Sequence, residues 1–404
     1  MIHDEHGTEA NAGRATGAES GRATRTDGGH AIRTDGGHTV ARTADRVAAL
    51  QDRLRAREAD LAVLYPGPNT LYLAGVYGEP LDRHFLLAVP AEGDPRAVTP
   101  RKSLDLLEDE STVSEFEVLE SNDPGAVAVR FAETLGEGVD RLLLDERTPF
   151  AVADPLRQET DATIAGAGDP LESLRIRKDD AEIAALKRSA AVADAVSEGV
   201  RSLEIVGMTE REVADEIRGR LHAKGATRLS FDVVVASGPN AARPYLRNRD
   251  REIRAGEPVI LDFGGFVDGY ASDQTRTTVF GGDPPEGFEA AHEAVRAALD
   301  AGVEAVEPGV TAGSIDRAAE SVVVDHGFGE NLIHGTGHGV GLEAHEAPAI
   351  ADGNERVLEP GMVFSVEPGV YVDGEYGVRV EDLVVVTEDG CERLNDSPRT
   401  WRPL

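Results

Sequence analysis

The stretch that decides the fold spans residues 258–279 and reads PVILDFGGFVDGYASDQTRTTV. Two β-type runs flank an Asp-Gly pair, which is a hairpin signal. If the turn centres near Val267–Asp268, Asp262 and Asp273 face each other directly, and if it centres on Asp268–Gly269, they are diagonal neighbours on one face. Either way the two carboxylates point in the same direction, roughly 5–7 Å apart at Cβ. That spacing suits a pair that binds cations and is poor for two unpaired charges.

A second hairpin repeats this arrangement near the carboxyl terminus, where residues 363–386 read VFSVEPGVYVDGEYGVRVEDLVVV. Glu367 and Glu381 are symmetric about Gly374. Two glutamates in apolar strands are expensive to bury without a counter-charge, so they indicate a cation. Arg379 lies on the same face as Glu381, and it either neutralises part of this charge or forms a simple structural ion pair.

A glycine-rich segment with three histidines lies between the two hairpins and reads HGTGHGVGLEAHEAP. Its glycines let the backbone approach a ligand closely. A single histidine is more often structural, but three in such a segment are a stronger signal. Together with the hairpins they give five metal-type ligands in the order Asp262, Asp273, His338, Glu367 and Glu381. Oxygen and imidazole ligands suit a pair of divalent cations that activates water, so metal-dependent hydrolysis is the leading hypothesis.

The chain divides into three predicted regions. Residues 1–41 are poor in large apolar side chains, contain RTDGGH twice, and are expected to form a disordered tail. Residues 42–172 alternate helical and strand patterns, which predicts a small α/β domain with a largely parallel sheet. Residues 173–404 predict an α+β domain, in which helices cover one face of a mainly antiparallel, curved sheet.

The charge balance restricts the possible partners and source of the protein. The 404 residues include 41 Lys+Arg, of which only four are lysine, against 74 Asp+Glu, for a net charge of −33. Such an acidic, lysine-poor chain is typical of an extreme halophile, where salt screens the self-repulsion, although an acidic mesophilic protein is the alternative. Nucleic acid and anionic membranes are not expected as partners, because both require a basic surface.

Cysteine content and hydropathy point to the cytoplasm. Cys391 is the only cysteine, so neither an intrachain disulfide nor a thiolate metal cluster can form. The amino terminus shows no signal-type apolar region, and no apolar run approaches the length that spans a bilayer. A cytoplasmic location is therefore expected.

These segments resemble the pita-bread metallohydrolases, a family that includes Xaa-Pro dipeptidase (prolidase), aminopeptidase P, methionine aminopeptidase and creatinase. The resemblance covers residues 42–404, including RIRKDDAEIAALKRSA at the start of the second domain. The two-domain layout is more similar to prolidase, aminopeptidase P and creatinase than to one-domain methionine aminopeptidases. It implies a creatinase-like α/β amino-terminal domain, a pita-bread catalytic domain, a small peptide substrate and a homodimer.

The resemblance also implies a role for each ligand. Asp262 would bind one metal, and Asp273 and Glu381 would bridge two metals. His338 and Glu367 would complete one of the two sites. The ions would be Mn, Co, Fe or Zn, with Mn favoured.

The same resemblance implies catalytic roles for Glu367, His345, His334 and Arg379. A hydroxide that bridges the metals would attack the scissile carbonyl, with Glu367 as general base and acid. His345 would hydrogen-bond the substrate or the tetrahedral intermediate, and His334 would line the pocket for the residue after the scissile bond, proline in the Pro-specific members. Arg379 would orient Glu381 and the carboxylate network.

One position departs from the family pattern. The peptidase members carry a histidine a few residues after a motif such as SGPNAA, and Tyr245 stands at that position here. A phenol still donates one hydrogen bond, but it stays neutral at pH 7. The leading hypothesis is cleavage of Xaa-Pro peptide bonds with Tyr245 as substitute donor. The alternatives are a creatinase-like enzyme for a small C–N or C–S compound, and a metal-binding scaffold without catalysis.

Overall fold

The computed structural model describes residues 36–78, 84–136, 138–243 and 248–404, with only the backbone described for 36–41. The first domain contains one six-stranded sheet in the order β4-β3-β2-β1-β5-β6. Its strands are β1 Leu61–Leu64, β2 Leu86–Pro90, β3 Arg96–Pro100, β4 Glu115–Leu119, β5 Arg141–Leu144 and β6 Thr163–Gly166. The helices are α1 Gly36–Ala56, α2 Pro68–Ala74, α3 Arg101–Glu110, α4 Pro124–Thr134, α5 Phe150–Gln158 and α6 Gly168–Arg175.

This sheet is mixed, whereas the sequence predicts a largely parallel one. Strand β2 runs antiparallel to both of its neighbours, β1 and β3, and the other pairs are parallel. For β2 and β3 the cause is the short connection over residues 91–95, because so few residues can join antiparallel strands but cannot form the crossover that parallel strands need. Helix α1 begins at Gly36 and so includes residues 36–41, which the sequence assigns to the tail. The rest of that tail, 1–35, lies outside the described residues.

The second domain is built from antiparallel strands and four longer helices. Its helices are α7 Asp180–Arg201, α8 Glu210–Ala223, α9 Phe288–Glu304 and α10 Ala312–Asp325. Its strands are β7 Arg228–Leu229, β8 Val234–Ser237, β9 Pro258–Phe263, β10 Gly265–Val267, β11 Tyr270–Ala271, β12 Gln274–Val279, β13 Gly337–Gly339, β14 Glu346–Ile350, β15 Val363–Val366, β16 Gly369–Val372, β17 Tyr376–Arg379, β18 Asp382–Val386 and β19 Cys391–Arg393. Helices α7 and α8 pack with β8 and β9, while α9 and α10 pack with β15, β17 and β18.

The first ligand hairpin runs from β9 to β12 and has the second of the two turn positions that its sequence allows. Asp268 and Gly269 both have positive φ angles, 51° and 83°, as a two-residue type I′ turn requires. Asp262 therefore pairs with Thr275, and Asp273 is its diagonal neighbour. The ladder is interrupted at Gly264, where a Cβ atom would lie 1.8 Å from the Ser272 carbonyl oxygen.

The second ligand hairpin runs from β15 to β18 and keeps one register along its whole length. Gly369 pairs with Arg379 on the turn side, and Val366 pairs with Asp382 on the other side. Glu367 and Glu381 lie directly opposite each other in that register. Their backbone N–H groups bond to other segments, Glu367 to Thr336 at 2.7 Å and Glu381 to Thr275 at 3.2 Å. The regular strand pairing of both hairpins is thus interrupted beside their acidic residues.

A continuous apolar cluster joins the two domains. Leu50 and Leu54 of α1 belong to the same buried cluster as Leu186 of α7 and Leu383 of β18. Because this core crosses between domains, the first domain fixes the position of the long helix α7 beneath the site. Among the helices of the described residues, none combines the length and apolar character needed to cross a bilayer.

Candidate metal centre and active site

Three carboxylates meet at the interrupted ladders. Asp262, Asp273 and Glu381 each offer an oxygen atom, and these three atoms lie within 4.8 Å of one another. Asp273 and Glu381 are buried, at 4% and 1% exposure. Glu381 Oε1 is buried and has no hydrogen-bond partner among the described residues. A buried, unpartnered carboxylate oxygen beside two further carboxylates fits a bound divalent cation.

His338 and Glu367 form a second pair beside this group. His338 Nε2 lies 3.2 Å from Glu367 Oε1 and 3.6 Å from Asp273 Oδ2. Its other nitrogen, Nδ1, lies 3.2 Å from the Gly339 carbonyl oxygen and donates to it, which leaves Nε2 as the free ligand atom. The hydroxyl of Ser365 orients both residues, since it donates to Glu367 at 3.1 Å and accepts from the His338 backbone at 3.0 Å.

Arg379 is the buried cation of the cluster. Its guanidinium donates to Asp262, to the Tyr371 hydroxyl at 2.8 Å and to Thr275 at 3.1 Å. The Thr275 hydroxyl in turn donates to Glu381 Oε2 at 2.8 Å. Arg379 therefore reaches Asp262 directly and Glu381 through Thr275.

The pKa values of the carboxylates indicate that this cluster lacks positive charge. Burial, and then the neighbouring carboxylates, raise the pKa values of Asp273 and Glu381 well above their usual range. Burial also raises the pKa of Asp262, although Arg379 opposes this effect. Glu367 is the exception, because His338 and Arg379 outweigh the effect of burial and lower its pKa to about 2. Divalent cations would supply the missing positive charge and keep all four carboxylates ionised.

His334 is held by Tyr371, a residue for which the sequence pattern gives no signal. Its Nε2 lies 2.8 Å from the Tyr371 hydroxyl, and its Nδ1 lies 2.8 Å from the Gly335 carbonyl oxygen. Because the carbonyl can only accept, Nδ1 donates to it and Nε2 accepts from Tyr371. Tyr371 thus accepts a hydrogen bond from Arg379 and donates one to His334. Both ring nitrogens of His334 are engaged, and the residue lines the cavity beside the metal centre.

His345 completes the site from the opposite side of the histidine segment. Its ring stacks on that of His338 with 3.9 Å between centroids. Burial, with His338 as a second cause, lowers the pKa of His345, which favours the neutral imidazole with one N–H donor. A cavity of about 900 Å³ is lined by the residues at the metal centre and by one face of α8 and β8. From the metal centre the cavity wall includes Asp262, Asp273, His334, His338, His345, Glu367 and Arg379.

The structure brings together eight of the nine residues that the sequence and the resemblance indicate. It adds Thr275, Ser365 and Tyr371, whose polar atoms contact the ligands. A sequence signal existed for Thr275, because it follows Asp273 by two residues and so shares its face of the strand. Tyr245 lies outside the described residues, and its role stays a prediction.

Clustered carboxylates and imidazoles in the wall of a cavity define the class of metal-dependent hydrolases. The chain belongs to metallopeptidase family M24, which it matches over residues 184–388. Residues 46–177 match the creatinase/prolidase N-terminal domain. The protein is therefore a peptidase enzyme that uses divalent metal ions, and the predicted family and fold class are confirmed.

Named relatives span nearly the whole two-domain region. The chain is 37% identical over 342 residues to a probable dipeptidase PepE of Mycobacterium tuberculosis, covering 83% of this chain and 90% of the relative. It is 34% identical over 363 residues to an Xaa-Pro dipeptidase of Lactobacillus helveticus, covering 87% and 96%. The crystal structure of a prolidase from Thermococcus sibiricus superposes with a TM-score of 0.84 at 35% identity, covering 90% and 99%.

Proposed function

We propose that this protein cleaves short peptides at the bond before proline, as an Xaa-Pro dipeptidase or an aminopeptidase P-like enzyme, with a pair of divalent metal ions. The observation that carries the proposal is the group of three converging carboxylates, which includes the unpartnered oxygen of Glu381, with the His338–Glu367 pair beside it. Relatives named as Xaa-Pro dipeptidases support the substrate class. The small non-peptide substrate is not favoured, because the similar proteins from Mycobacterium tuberculosis, Lactobacillus helveticus and Thermococcus sibiricus are all named as peptidases.

The ligand geometry supports two adjoining metal positions. Asp262, Asp273 and Glu381 would hold one ion, and His338 with Glu367 would complete the second. Asp273 suits the bridging role because its carboxylate belongs to the first group and also lies 3.6 Å from His338 Nε2. Bound metals would activate a water molecule and polarise the scissile carbonyl. We favour Mn, because four carboxylates and one imidazole form a mainly oxygen-donor set.

Glu367 is the proton carrier in this proposal. Despite its burial, His338 and Arg379 lower its pKa to about 2, so the carboxylate is ionised at neutral pH, and it would take a proton from a water molecule whose own pKa the bound metals lower. Glu367 Oε1 faces His338 and Ser365, and Oε2 lies 3.7 Å from Arg379 Nε. The same carboxyl group would then deliver the proton to the proline nitrogen, which must be protonated before it can leave.

The two remaining histidines bind the substrate in different ways. His345 favours the neutral form and lines the cavity, so it can donate a hydrogen bond to the carbonyl oxygen as negative charge develops there. His334 has both ring nitrogens engaged, by Tyr371 and Gly335. It would therefore contact the substrate through its ring face, which suits packing against the apolar proline ring. Tyr245 would act as a further hydrogen-bond donor to the substrate.

We also propose a cytoplasmic homodimer from a halophilic source. The net charge of −33 with four lysines supports the halophilic origin. The dimer follows from the resemblance to prolidases, in which His84 of the first domain would either contribute to the partner's active site or lie at the surface.

The decisive experiment measures hydrolysis of Xaa-Pro dipeptides, Xaa-Pro tripeptides and matched Xaa-Ala dipeptides by Mn-loaded protein in molar KCl. Glu367→Gln is the blank, because it keeps the shape of the side chain and removes its charge. Turnover of Xaa-Pro substrates that the blank lacks supports the proposal, and the preferred length assigns dipeptidase or aminopeptidase. Equal turnover of Xaa-Ala dipeptides would show that the enzyme is not specific for proline. No turnover by folded, metal-loaded protein would reject the peptidase function for these substrates.

A further inference from the structure

A network of charged side chains connects the first domain to the loop that carries His345. The network begins at Asp145, which follows β5 and accepts a hydrogen bond of 2.9 Å from Asn69 of α2. Asn69 in turn accepts a hydrogen bond of 2.8 Å from Arg175, the last residue of α6. Arg175 has only 7% of its surface exposed and lies between the two domains.

The other side of this network consists of the two glutamates that flank His345. Arg175 donates to Glu343 at 2.8 Å and to Glu346 at 2.6 Å. Lys178 donates to Glu346 at 2.7 Å, and Arg147 of the first domain donates to Glu343. Both anchors of the His345 loop are thus held by cations that belong to the first domain or to the segment that leaves it.

The loop has little freedom of its own once Glu346 is held. A Cβ atom on Gly341 would lie 2.3 Å from Glu346 Oε1, so the carboxylate packs directly on the backbone of the loop. The Gly341 carbonyl also accepts a hydrogen bond of 2.8 Å from Ala271, next to the first ligand hairpin. His345 is one residue from Glu346 and two from Glu343, and it lines both the main cavity and a cavity of about 220 Å³ beside Arg175.

We propose that Arg175 is a positioning residue, through which the first domain sets the place of the His345 imidazole in the active site. This inference rests on the proposed function, in which His345 donates a hydrogen bond to the reacting carbonyl. Buried charges are costly and contribute little net stability to a domain interface that already has an apolar core. These charges instead fix the orientation of the groups they bind, because Arg175 binds two carboxylates and one amide in a fixed planar geometry.

The proposal assigns a catalytic purpose to a contact between domains. A displacement of about 1 Å in a catalytic donor can lower the rate about 100-fold without weakening substrate binding to the same degree. Loosening the network should therefore lower kcat more than it raises KM. The metal ligands belong to the two hairpins and β13, so metal content should not change.

The test compares Arg175→Gln and Arg147→Gln with the matched control Arg177→Gln. Arg177 lies in the same connecting segment but forms an exposed ion pair with Glu359. Arg147 is half exposed, so its variant keeps the proposal testable if Arg175→Gln does not fold. We expect kcat to fall about 10- to 100-fold for Arg175→Gln and about 3- to 10-fold for Arg147→Gln, with KM and metal content within about twofold. The control should behave as wild type.

Two further readouts separate positioning from a purely structural role. In a His345→Ala background, Arg147→Gln should cost no further activity, because the donor that it positions is gone. Full additivity of the two losses would overturn the proposal. Hydrogen exchange of residues 339–347 should rise in Arg147→Gln and not in Arg177→Gln. Unchanged hydrogen exchange in Arg147→Gln would overturn the positioning role of the network, even if the protein has no peptidase activity. The proposed function is decided separately, by the turnover of the wild-type protein.

Discussion

Arg379 and Tyr371 share a hydrogen bond of 2.8 Å, and this bond links the carboxylates of the metal centre to His334. The guanidinium also binds Asp262, and the phenol donates to His334 Nε2 at 2.8 Å. Burial raises the pKa of Tyr371 to about 12, so the phenol keeps its proton and its direction over the working pH range. One tyrosine thereby fixes both the orientation of a buried cation and the ring of a substrate-facing histidine.

We predict that Tyr371→Phe lowers kcat/KM about 10- to 100-fold, the range expected for losing a hydrogen bond to a charged group. Metal content should change little, because Arg379 still contacts Asp262. Steady-state kinetics with an Xaa-Pro dipeptide measures the effect. Tyr376→Phe, a buried tyrosine of the same hairpin, is the control. Wild-type kinetics in Tyr371→Phe would contradict the role given to this bond.

Removing metal should abolish activity and lower the melting temperature. Without cations, Asp273 and Glu381 have pKa values well above their usual range because they are buried among other carboxylates. Protons therefore compete with metal, and metal affinity should fall as the pH is lowered from 8 to about 5. Dialysis against a chelator, followed by titration with Mn, Co, Fe or Zn at several pH values, measures both effects. Affinity that is independent of pH would show that these carboxylates are not ligands.

His292 should make folding sensitive to acid. This residue of α9 packs near Phe288, and burial lowers its pKa to about 4. The unfolded chain takes up this proton near pH 6.5, whereas the folded chain does so only near pH 4. Stability from the neutral imidazole is therefore present above pH 6.5 and is lost as the pH falls toward 4, by up to about 3 kcal/mol.

His292→Leu tests this sign directly. Denaturant unfolding at pH 7 and pH 4.5 should show a smaller loss of stability in the variant than in the wild type. His326→Leu is a suitable control, because His326 is exposed at the end of α10. Equal acid sensitivity in His292→Leu and wild type would contradict the prediction.

Salt should stabilise the protein. At a net charge of −33, self-repulsion is large at low ionic strength, and the screening length shrinks from about 10 Å at 0.1 M to about 3 Å at 1 M salt. We expect the melting temperature to rise by several degrees between about 0.1 and 2 M KCl. NaCl should act like KCl, and a neutral osmolyte should not reproduce the effect at low concentration. A melting temperature that does not change with salt concentration would argue against a halophilic origin.

The sequence predicts the two hairpins because a short polar turn between β-type runs is a local signal. Asp262 and Asp273 share a face in either possible turn, so their proximity does not depend on the choice between turns. The sequence does not decide between the two turns, since both Val267–Asp268 and Asp268–Gly269 fit the pattern. In the structure the turn is Asp268–Gly269, which places Asp262 opposite Thr275. It was therefore possible to predict that the carboxylates converge, but not how they are hydrogen-bonded.

Tyr371 and Arg175 show what local patterns miss. Tyr371 alternates with apolar residues in β16 and looks like an ordinary core residue until the register sets it near Arg379. Arg175 lies more than 160 residues before Glu343 and Glu346, and its partners depend on how two domains pack. Contacts that join distant segments through polar atoms carry no periodic signal, and they make up most of the hydrogen bonding around this site.

The interrupted hairpins have a consequence for anyone who would redesign this enzyme. The relative position of each acidic pair depends on a single turn, Asp268–Gly269 in the first hairpin and the residues around Gly374 in the second. A strand that slips by one residue turns every side chain to its opposite face. An inserted or deleted residue at either turn would therefore turn one acidic side chain of the pair away from the other. Loop grafting at these turns must preserve residue count, because the register on both sides of each turn sets which side chains share a face.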